Sequence, residues 1–129
     1  MATNLDLVKG AYAAFATGDV PAVLGMLAHD ARWTEAAGFP YGGTYVGPDA
    51  VLNGVFMRIG ADWDGFAVIP AEYLCEGDKV AAFGEYSGRN KATGRDFVAP
   101  FAHVWTFRDG KAIRFVQHVD TVLVQRAMA

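Results

Sequence analysis

The sequence is poor in cysteine and charge, and it has no long hydrophobic run. A single cysteine, Cys75, excludes a disulfide within the chain, as is usual in a reducing cytoplasm. Charged residues make up 19%, the net charge is −3 and no basic cluster occurs, which argues against a nucleic-acid partner. No apolar stretch approaches the roughly 20 residues of a membrane span, and residues 1–10 lack a signal-peptide core. We therefore expect a cytoplasmic protein with no nucleic-acid or membrane partner.

Metal-ligating residues are also scarce. The chain has only three histidines, and their spacing matches no zinc signature. We expect neither a metal nor another cofactor. Cys75 lies in an apolar segment with no activating base nearby, so we predict that it is a small buried hydrophobe.

Hydrophobic residues make up 53% of the 129 residues, which is enough for the core of one domain spanning residues 1–129. Near the N-terminus they recur with helical spacing. They are Leu5, Val8, Tyr12 and Phe15. This stripe predicts a helix over residues 4–17, capped by Thr3 or Asn4 and ended by Gly18.

The rest of the chain predicts two more helices, a series of strands and a short last helix. The helices begin near Pro21, near Pro48 and at Thr121. The strands are predicted at 31–36, 66–76, 79–89, 96–107 and 112–119. Three helices followed by a four-stranded meander indicate an α+β domain in which the helices cover one face of a bent antiparallel sheet.

The last hairpin allows two registers. A two-residue turn at Asp109-Gly110 would pair Arg108 with Lys111. A three-residue turn with Gly110 in a bulge would pair Phe107 with Lys111. We favour the second because it joins the two more apolar faces, and a slip of one residue would reverse every side chain.

The favoured register gives an aromatic inner face with two polar exceptions, Gln117, beside Phe101, and His103. A buried histidine is either a core residue with satisfied hydrogen bonds or part of a site, and the pattern leaves both open. In the first strand, Trp33 and Glu35 share a face by alternation. Because an unpaired buried carboxylate is costly, we predict that Glu35 lines a pocket.

Two segments carry a resemblance to a known family. "AYAAFATGDVPAVLGMLAHDARWTEA" resembles the helix–helix–strand opening of the nuclear-transport-factor-2-like superfamily, and "AHVWTFRDGKAIRFVQHVDT" resembles its last hairpin. The nearest branches are the SnoaL-like polyketide cyclases and the ketosteroid-isomerase-related proteins. The resemblance implies a cone-shaped curved antiparallel sheet, wrapped around three N-terminal helices, with an apolar cavity.

Site residues carry over from that family position by position. Glu35 corresponds to the aspartate base of ketosteroid isomerases, and His103 to their protonated aspartate and to a histidine of the SnoaL-type cyclases. Other positions depart from the family. The isomerase's helical tyrosine aligns with Ala11, and the cyclase's catalytic aspartate aligns with Gln117. The epoxide-hydrolase pattern also fails, because Ala81 stands where that pattern has an aspartate. No subfamily's full catalytic set is therefore present.

Two functions are compatible with these residues. The first is a cofactor-free isomerase, cyclase or dehydratase that abstracts a proton next to a carbonyl, with Glu35 and His103 as catalytic residues. The second is a non-catalytic binding protein for a small hydrophobic molecule. In either case the predicted ligand-binding residues are Tyr12, Phe15, Trp33, Phe83, Phe101 and Gln117. The half-apolar outer face of the last hairpin, together with the resemblance, predicts a homodimer.

Overall fold

The structure, a computed structural model, describes residues 2–129 as an α+β fold of helices packed against one curved sheet. The helices are α1 (Asn4–Ala16), α2 (Val20–Gly25), α3 (Pro48–Val51), α4 (Met57–Asp62) and α5 (Thr121–Met128). A π-helical turn, Leu52–Phe56, joins α3 to α4. The strands are β1 (Leu27–Glu35), β2 (Gly43–Val46), β3 (Trp63–Glu76), β4 (Lys79–Asn90), β5 (Asp96–Arg108) and β6 (Lys111–Val119). The predicted fold class is confirmed.

Helix α1 begins with a capping box. The Thr3 hydroxyl accepts from the Asp6 backbone N–H, and the Asp6 carboxylate accepts from the Thr3 N–H. Its apolar stripe buries Val8 and Tyr12 against the sheet. The helical pattern in the sequence therefore predicted both the start of the helix and its buried face.

The sheet order is β2-β1-β6-β5-β4-β3, and the sheet curves without closing. The predicted meander β3–β6 is antiparallel throughout, but β1 pairs with β6 in parallel, so the sheet is mixed. Residues 36–110 separate those two strands, and so long a connection can produce either direction. Strand β2 was not predicted because its four residues, Gly43–Val46, lie in a glycine-rich segment.

The last hairpin has the turn of one predicted register and the inner face of the other, but Phe101 lies opposite Val119 rather than opposite Gln117 as predicted. Its turn is the two-residue one, with Asp109 and Gly110 both at positive φ and Arg108 paired with Lys111. The preferred three-residue turn was therefore wrong. Ile113 is an extra residue in β6, and past this bulge His103 pairs with Gln117. The bulge restores the predicted inner face.

Two further predictions concern surfaces. Cys75 is exposed rather than buried, because it lies near the end of the edge strand β3, where Leu74 is exposed as well. On the outer face of the last hairpin, Val104 and Val116 are half-buried, and the homodimer stays a prediction. Within residues 2–129, no helix is both long and apolar enough to cross a membrane.

Candidate active site

A cavity lies between the helices and the inner face of the sheet. Its lining is largely aromatic and includes Tyr12, Trp33, Phe39, Tyr86, Trp105 and Phe115. Its polar lining side chains, besides the two tyrosine hydroxyls, are Glu35, His103 and Gln117. Among the residues that the structure describes, no lysine or arginine lines it. The cavity is thus suited to a neutral, mainly apolar molecule.

The cavity volume is about 50 Å³. That is room for a few water molecules, whereas an apolar cavity that binds benzene measures about 150 Å³. A larger ligand must therefore displace lining side chains. Phe15 on α1 and Phe56 in the π-helical turn are half-buried, and their rings meet edge to face at 5.6 Å. Phe66 and Val68 on β3 also line the cavity and are half-buried. These four side chains are the ones best placed to move when a ligand enters, because they reach the surface.

The loop after β1 closes the cavity near Glu35. Phe39 is buried and lines the cavity, with its ring 6.2 Å from that of Tyr86. Tyr41 is fully buried, donates to the Asp62 carboxylate at 2.7 Å and accepts from the Trp63 indole N–H at 3.1 Å. These contacts hold the loop as a plug rather than as a detached lid.

Glu35 is the last residue of β1 and is 4% exposed. Its Oε2 atom is buried and has no hydrogen-bond partner among residues 2–129. Burial raises the pKa of the Glu35 carboxyl to about 8, and the neighbouring Trp33 indole N–H lowers it only in part. Near neutral pH, Glu35 is therefore mostly a neutral acid that can give up its proton at slightly higher pH.

Trp33 lies two residues before Glu35 and faces the same side of the strand. Its ring stacks on Phe115 with 3.7 Å between the ring centroids. Its indole Nε1 is buried and makes no hydrogen bond within the described chain. The Trp33 N–H is thus near enough to act on the Glu35 charge, but its geometry is not that of a hydrogen bond. One donor and one carboxyl oxygen remain unused in the same cavity.

His103 on β5 is fully engaged. Its Nδ1 lies 2.7 Å from the Tyr12 hydroxyl, and its Nε2 is hydrogen-bonded to the Tyr86 hydroxyl. Burial lowers the pKa of His103 to about 3, with a further lowering from the charge of His118. The imidazole is therefore neutral at physiological pH and does not form an ion pair with Glu35.

The hydrogen bonds continue beyond the two tyrosines. The Trp105 indole N–H donates to the Tyr12 hydroxyl at 3.1 Å. The Gln117 amide donates to the Tyr86 hydroxyl at 2.9 Å and accepts from the Ala36 backbone N–H at 3.0 Å. We call these five side chains the tyrosine–histidine network. They are Tyr12, Tyr86, His103, Trp105 and Gln117.

The structure brings most of the predicted site residues together. Those that line the cavity are Tyr12, Phe15, Trp33, Glu35, His103 and Gln117. Phe101 is buried and stacks on His103 at 4.1 Å, but it does not line the cavity. The predicted direct hydrogen bond from His103 to a ligand needs correction, because both ring nitrogens are already occupied by tyrosine hydroxyls.

Phe83 is placed wrongly by the sequence prediction. It pairs with Ala102, whereas the cavity-lining His103 pairs with Ala82, so Phe83 lies on the outer face of the sheet. The lining residue that was missed on this strand is Tyr86. A signal was available in the sequence. Three charged residues lie an even number of positions from Phe83 and therefore on its face of the strand: Lys79, Glu85 and Arg89. Their charges mark that face as the solvent side. Phe39 and Phe115 were also missed as lining residues.

The comparisons with known proteins agree with this architecture. A SnoaL-like domain model matches residues 8–115. An NTF2-like protein from Burkholderia thailandensis is 40% identical, with a TM-score of 0.97, and the match covers 100% of this chain and 99% of that protein. TerC, crystallised with polyporic acid, is 27% identical, with a TM-score of 0.87 and 97% of each chain covered.

A more distant match has the same fold. IdmH, a putative polyketide cyclase from Streptomyces antibioticus, is 21% identical, with a TM-score of 0.80, and 98% of this chain and 99% of IdmH are covered. No curated protein sequence matches the chain. The family match spans most of the chain and agrees with the sheet, the helices and the cavity, so this protein belongs to the SnoaL-like domain family.

Proposed function

We propose that the protein is a cofactor-free enzyme that moves a proton next to the carbonyl group of a small hydrophobic compound, as in an isomerisation, cyclisation or dehydration. The observation that carries this proposal is the Glu35 carboxyl, which is buried in an aromatic cavity without a partner. A carboxyl with a pKa near 8 is suited to accept and return a proton close to neutral pH. In a purely structural core such a group would only be destabilising.

The chemistry balances without another reactant. The Glu35 carboxylate takes a proton from the carbon beside the carbonyl, the electron pair of that C–H bond forms the C=C bond of an enolate, and the π electrons of the C=O bond move onto the oxygen. A tyrosine hydroxyl of the tyrosine–histidine network donates a hydrogen bond to that oxygen. Where the substrate has a C=C bond next to that carbon, the enolate is conjugated with it, and Glu35 returns the proton to the far carbon of that bond, which shifts the double bond and completes an isomerisation. The aromatic lining excludes water and keeps these interactions strong.

The relatives support a carbonyl compound as the ligand class. TerC was crystallised with polyporic acid, an aromatic hydroxyquinone, and it shares 27% identity over nearly the whole chain. The cavity of this protein is likewise aromatic and has no cationic lining residue in the part of the chain that is described. An aromatic or conjugated carbonyl compound suits both observations.

A deuterium-exchange assay tests the proposal. The protein is incubated in D₂O with small cyclic enones such as 2-cyclohexen-1-one, and deuterium incorporation next to the carbonyl is followed by NMR. We expect exchange that rises with pH through about 8, as Glu35 ionises. Replacing Glu35 by Gln should lower the exchange rate by about 10²–10⁴-fold, because the base is lost. Binding of the probe should persist.

The matched control is Glu85→Gln, which removes an exposed carboxylate from the outer face of β4. It should exchange the probe like the wild type. An unchanged rate in Glu35→Gln would reject the role of this carboxyl.

The alternative is a binding protein without catalysis. The departures from the family's catalytic residues favour it, because Ala11 and Gln117 stand where the isomerases and the cyclases have a catalytic tyrosine and a catalytic aspartate. Calorimetric titration with polyporic acid and with cyclohexenone separates the two functions. A probe that binds but gains no deuterium would favour the alternative.

A further inference from the structure

The tyrosine–histidine network contains one hydroxyl proton for which it has no hydrogen-bond acceptor. Tyr12 and Tyr86 each accept a hydrogen bond from a fixed N–H, from Trp105 and Gln117 respectively. Each hydroxyl also contacts one nitrogen of His103. A neutral imidazole has one N–H and one lone pair, so it can accept the proton of only one tyrosine. The other tyrosine accepts from the imidazole, and its own proton is left over.

The tautomer of His103 decides which tyrosine holds the spare proton. With the hydrogen on Nδ1, Tyr12 accepts from both Trp105 and His103, and Tyr86 gives its proton to Nε2. With the hydrogen on Nε2, Tyr12 gives its proton to Nδ1, and Tyr86 accepts from both Gln117 and His103. The hydroxyl proton of Tyr86 is then free.

The surroundings favour the second tautomer. A spare proton on Tyr12 would be a buried donor without an acceptor in the described part of the chain, which is destabilising. Tyr86 is different because it lies at the Glu35 end of the cavity: Gln117 is hydrogen-bonded both to the Tyr86 hydroxyl and to the backbone N–H of Ala36, the residue after Glu35. The Glu35 Oε2 atom lacks a partner among residues 2–129, and the charge of Glu35 contributes to raising the Tyr86 pKa. The free proton of Tyr86 therefore has an acceptor nearby in the cavity, whereas Tyr12 has no hydrogen-bonded link to Glu35 in the described part of the chain.

We propose that Tyr86 is the catalytic hydrogen-bond donor to the substrate carbonyl oxygen, and that His103 is a positioning residue that carries its proton on Nε2 and thereby frees the Tyr86 hydroxyl. This inference rests on the proposed function, since it assigns the donor for the same enolate. It also narrows the substrate to a compound whose carbonyl oxygen reaches Tyr86 while its acidic carbon faces Glu35. His103 itself does not touch the substrate.

The first experiment measures the tautomer without any substrate. The full chain is labelled with ¹⁵N-histidine, and its NMR spectrum at neutral pH distinguishes Nε2–H from Nδ1–H. His29 and His118 are both exposed, so their signals are identified with the variants His29→Gln and His118→Gln, and the remaining signals belong to His103. The Nε2–H form is expected. The Nδ1–H form would overturn the inference.

The second experiment compares Tyr86→Phe with Tyr12→Phe in the deuterium-exchange assay. Each variant removes one hydroxyl from the same imidazole. In the proposed tautomer, Tyr86→Phe leaves the N–H groups of Gln117 and His103 unpaired. Tyr12→Phe leaves the Trp105 N–H and the lone pair of His103 Nδ1 unpaired, so losses of thermal stability of the same order are expected. Exchange should fall by about 10²–10³-fold in Tyr86→Phe, as for other oxyanion donors. The loss in Tyr12→Phe should be at least tenfold smaller. Equal losses in the two variants would overturn the role of Tyr86.

The outcomes separate the two proposals. If the wild type exchanges no probe, the proposed function fails and the role of Tyr86 fails with it, whatever the tautomer. If the wild type exchanges the probe and Glu35→Gln does not, the proposed function holds. In that case, an Nδ1–H tautomer or equal losses in the two tyrosine variants would overturn only the present inference.

Discussion

Two groups of polar side chains in the cavity differ in how well they are hydrogen-bonded. The β1 pair, Trp33 and Glu35, is buried with an unpartnered N–H and an unpartnered carboxyl oxygen. The tyrosine–histidine network is equally buried, yet its polar side-chain nitrogen and oxygen atoms have hydrogen-bond partners, and a single hydroxyl proton is left over. A core designed only for stability would satisfy both groups. Under the proposed function, the network is the fixed template and the β1 pair is where a proton is exchanged with the ligand.

The largest effect expected from this difference between the β1 pair and the network is the pH dependence of the free energy of unfolding. The folded state raises the pKa of Glu35 from 4.5 to about 8, so its stabilising contribution is present below pH 4.5 and is lost as pH rises through 8. It lowers the pKa of His103 from 6.5 to about 3, so that contribution is present above pH 6.5 and is lost as pH falls through 3. Between about pH 4.5 and 6.5 the two contributions change in opposite directions and cancel, so the free energy of unfolding should show a plateau there. Below and above that range it should fall by a few kcal/mol.

Single variants should remove one side of that profile at a time. Urea unfolding of Glu35→Gln should lack most of the alkaline decline, and His103→Gln should lack most of the acid decline. Profiles that keep both declines in these variants would show that other groups set the limits.

A smaller effect is expected from deleting one polar group on each side of the comparison at neutral pH. Tyr12→Phe leaves the Trp105 N–H and one nitrogen of His103 without a partner, so it should destabilise by about 1–3 kcal/mol. Glu35→Met removes a group that has no partner, so it should be neutral or stabilising. Both changes in stability would be measured as shifts of the denaturant midpoint at an unchanged slope. Destabilisation by Glu35→Met equal to that by Tyr12→Phe would remove the distinction between the two groups.

The smallest effect is expected at Trp33. Trp33→Phe keeps an aromatic ring against Phe115 but removes the indole N–H, which lowers the pKa of the Glu35 carboxyl. The midpoint of the exchange rate against pH should therefore shift upward. A midpoint that shifts downward or stays in place would show that the N–H does not act on Glu35.

The sequence predicted most of the fold because its elements are strongly patterned. The capped stripe of α1 and the alternation in β5 and β6 specify buried faces directly. Strand β2 and the parallel pairing of β1 with β6 could not be predicted, since a short glycine-rich strand carries little pattern and partner choice depends on the whole chain.

The candidate site was predicted in outline rather than in its bonding. Alternation within single strands brought Glu35, His103 and Gln117 to the cavity. The charged residues on the other face of β4 also assign Tyr86 to the cavity by alternation, but the prediction chose the wrong face of that strand. Alternation could not show that two tyrosines occupy both nitrogens of His103, since Tyr12 and His103 lie 91 positions apart in the chain.

The bulge at Ile113 in β6 determines which of the residues after it face the cavity. If Ile113 instead paired with Thr106 in a regular ladder, the strand would present Arg114 to the cavity and turn Phe115 and Gln117 outward. Loss of this one residue would remove the bulge and leave the pairing of Phe115 and Gln117 unchanged. A relative whose alignment shows a one-residue gap there should therefore have a regular β6 and keep the same inner face.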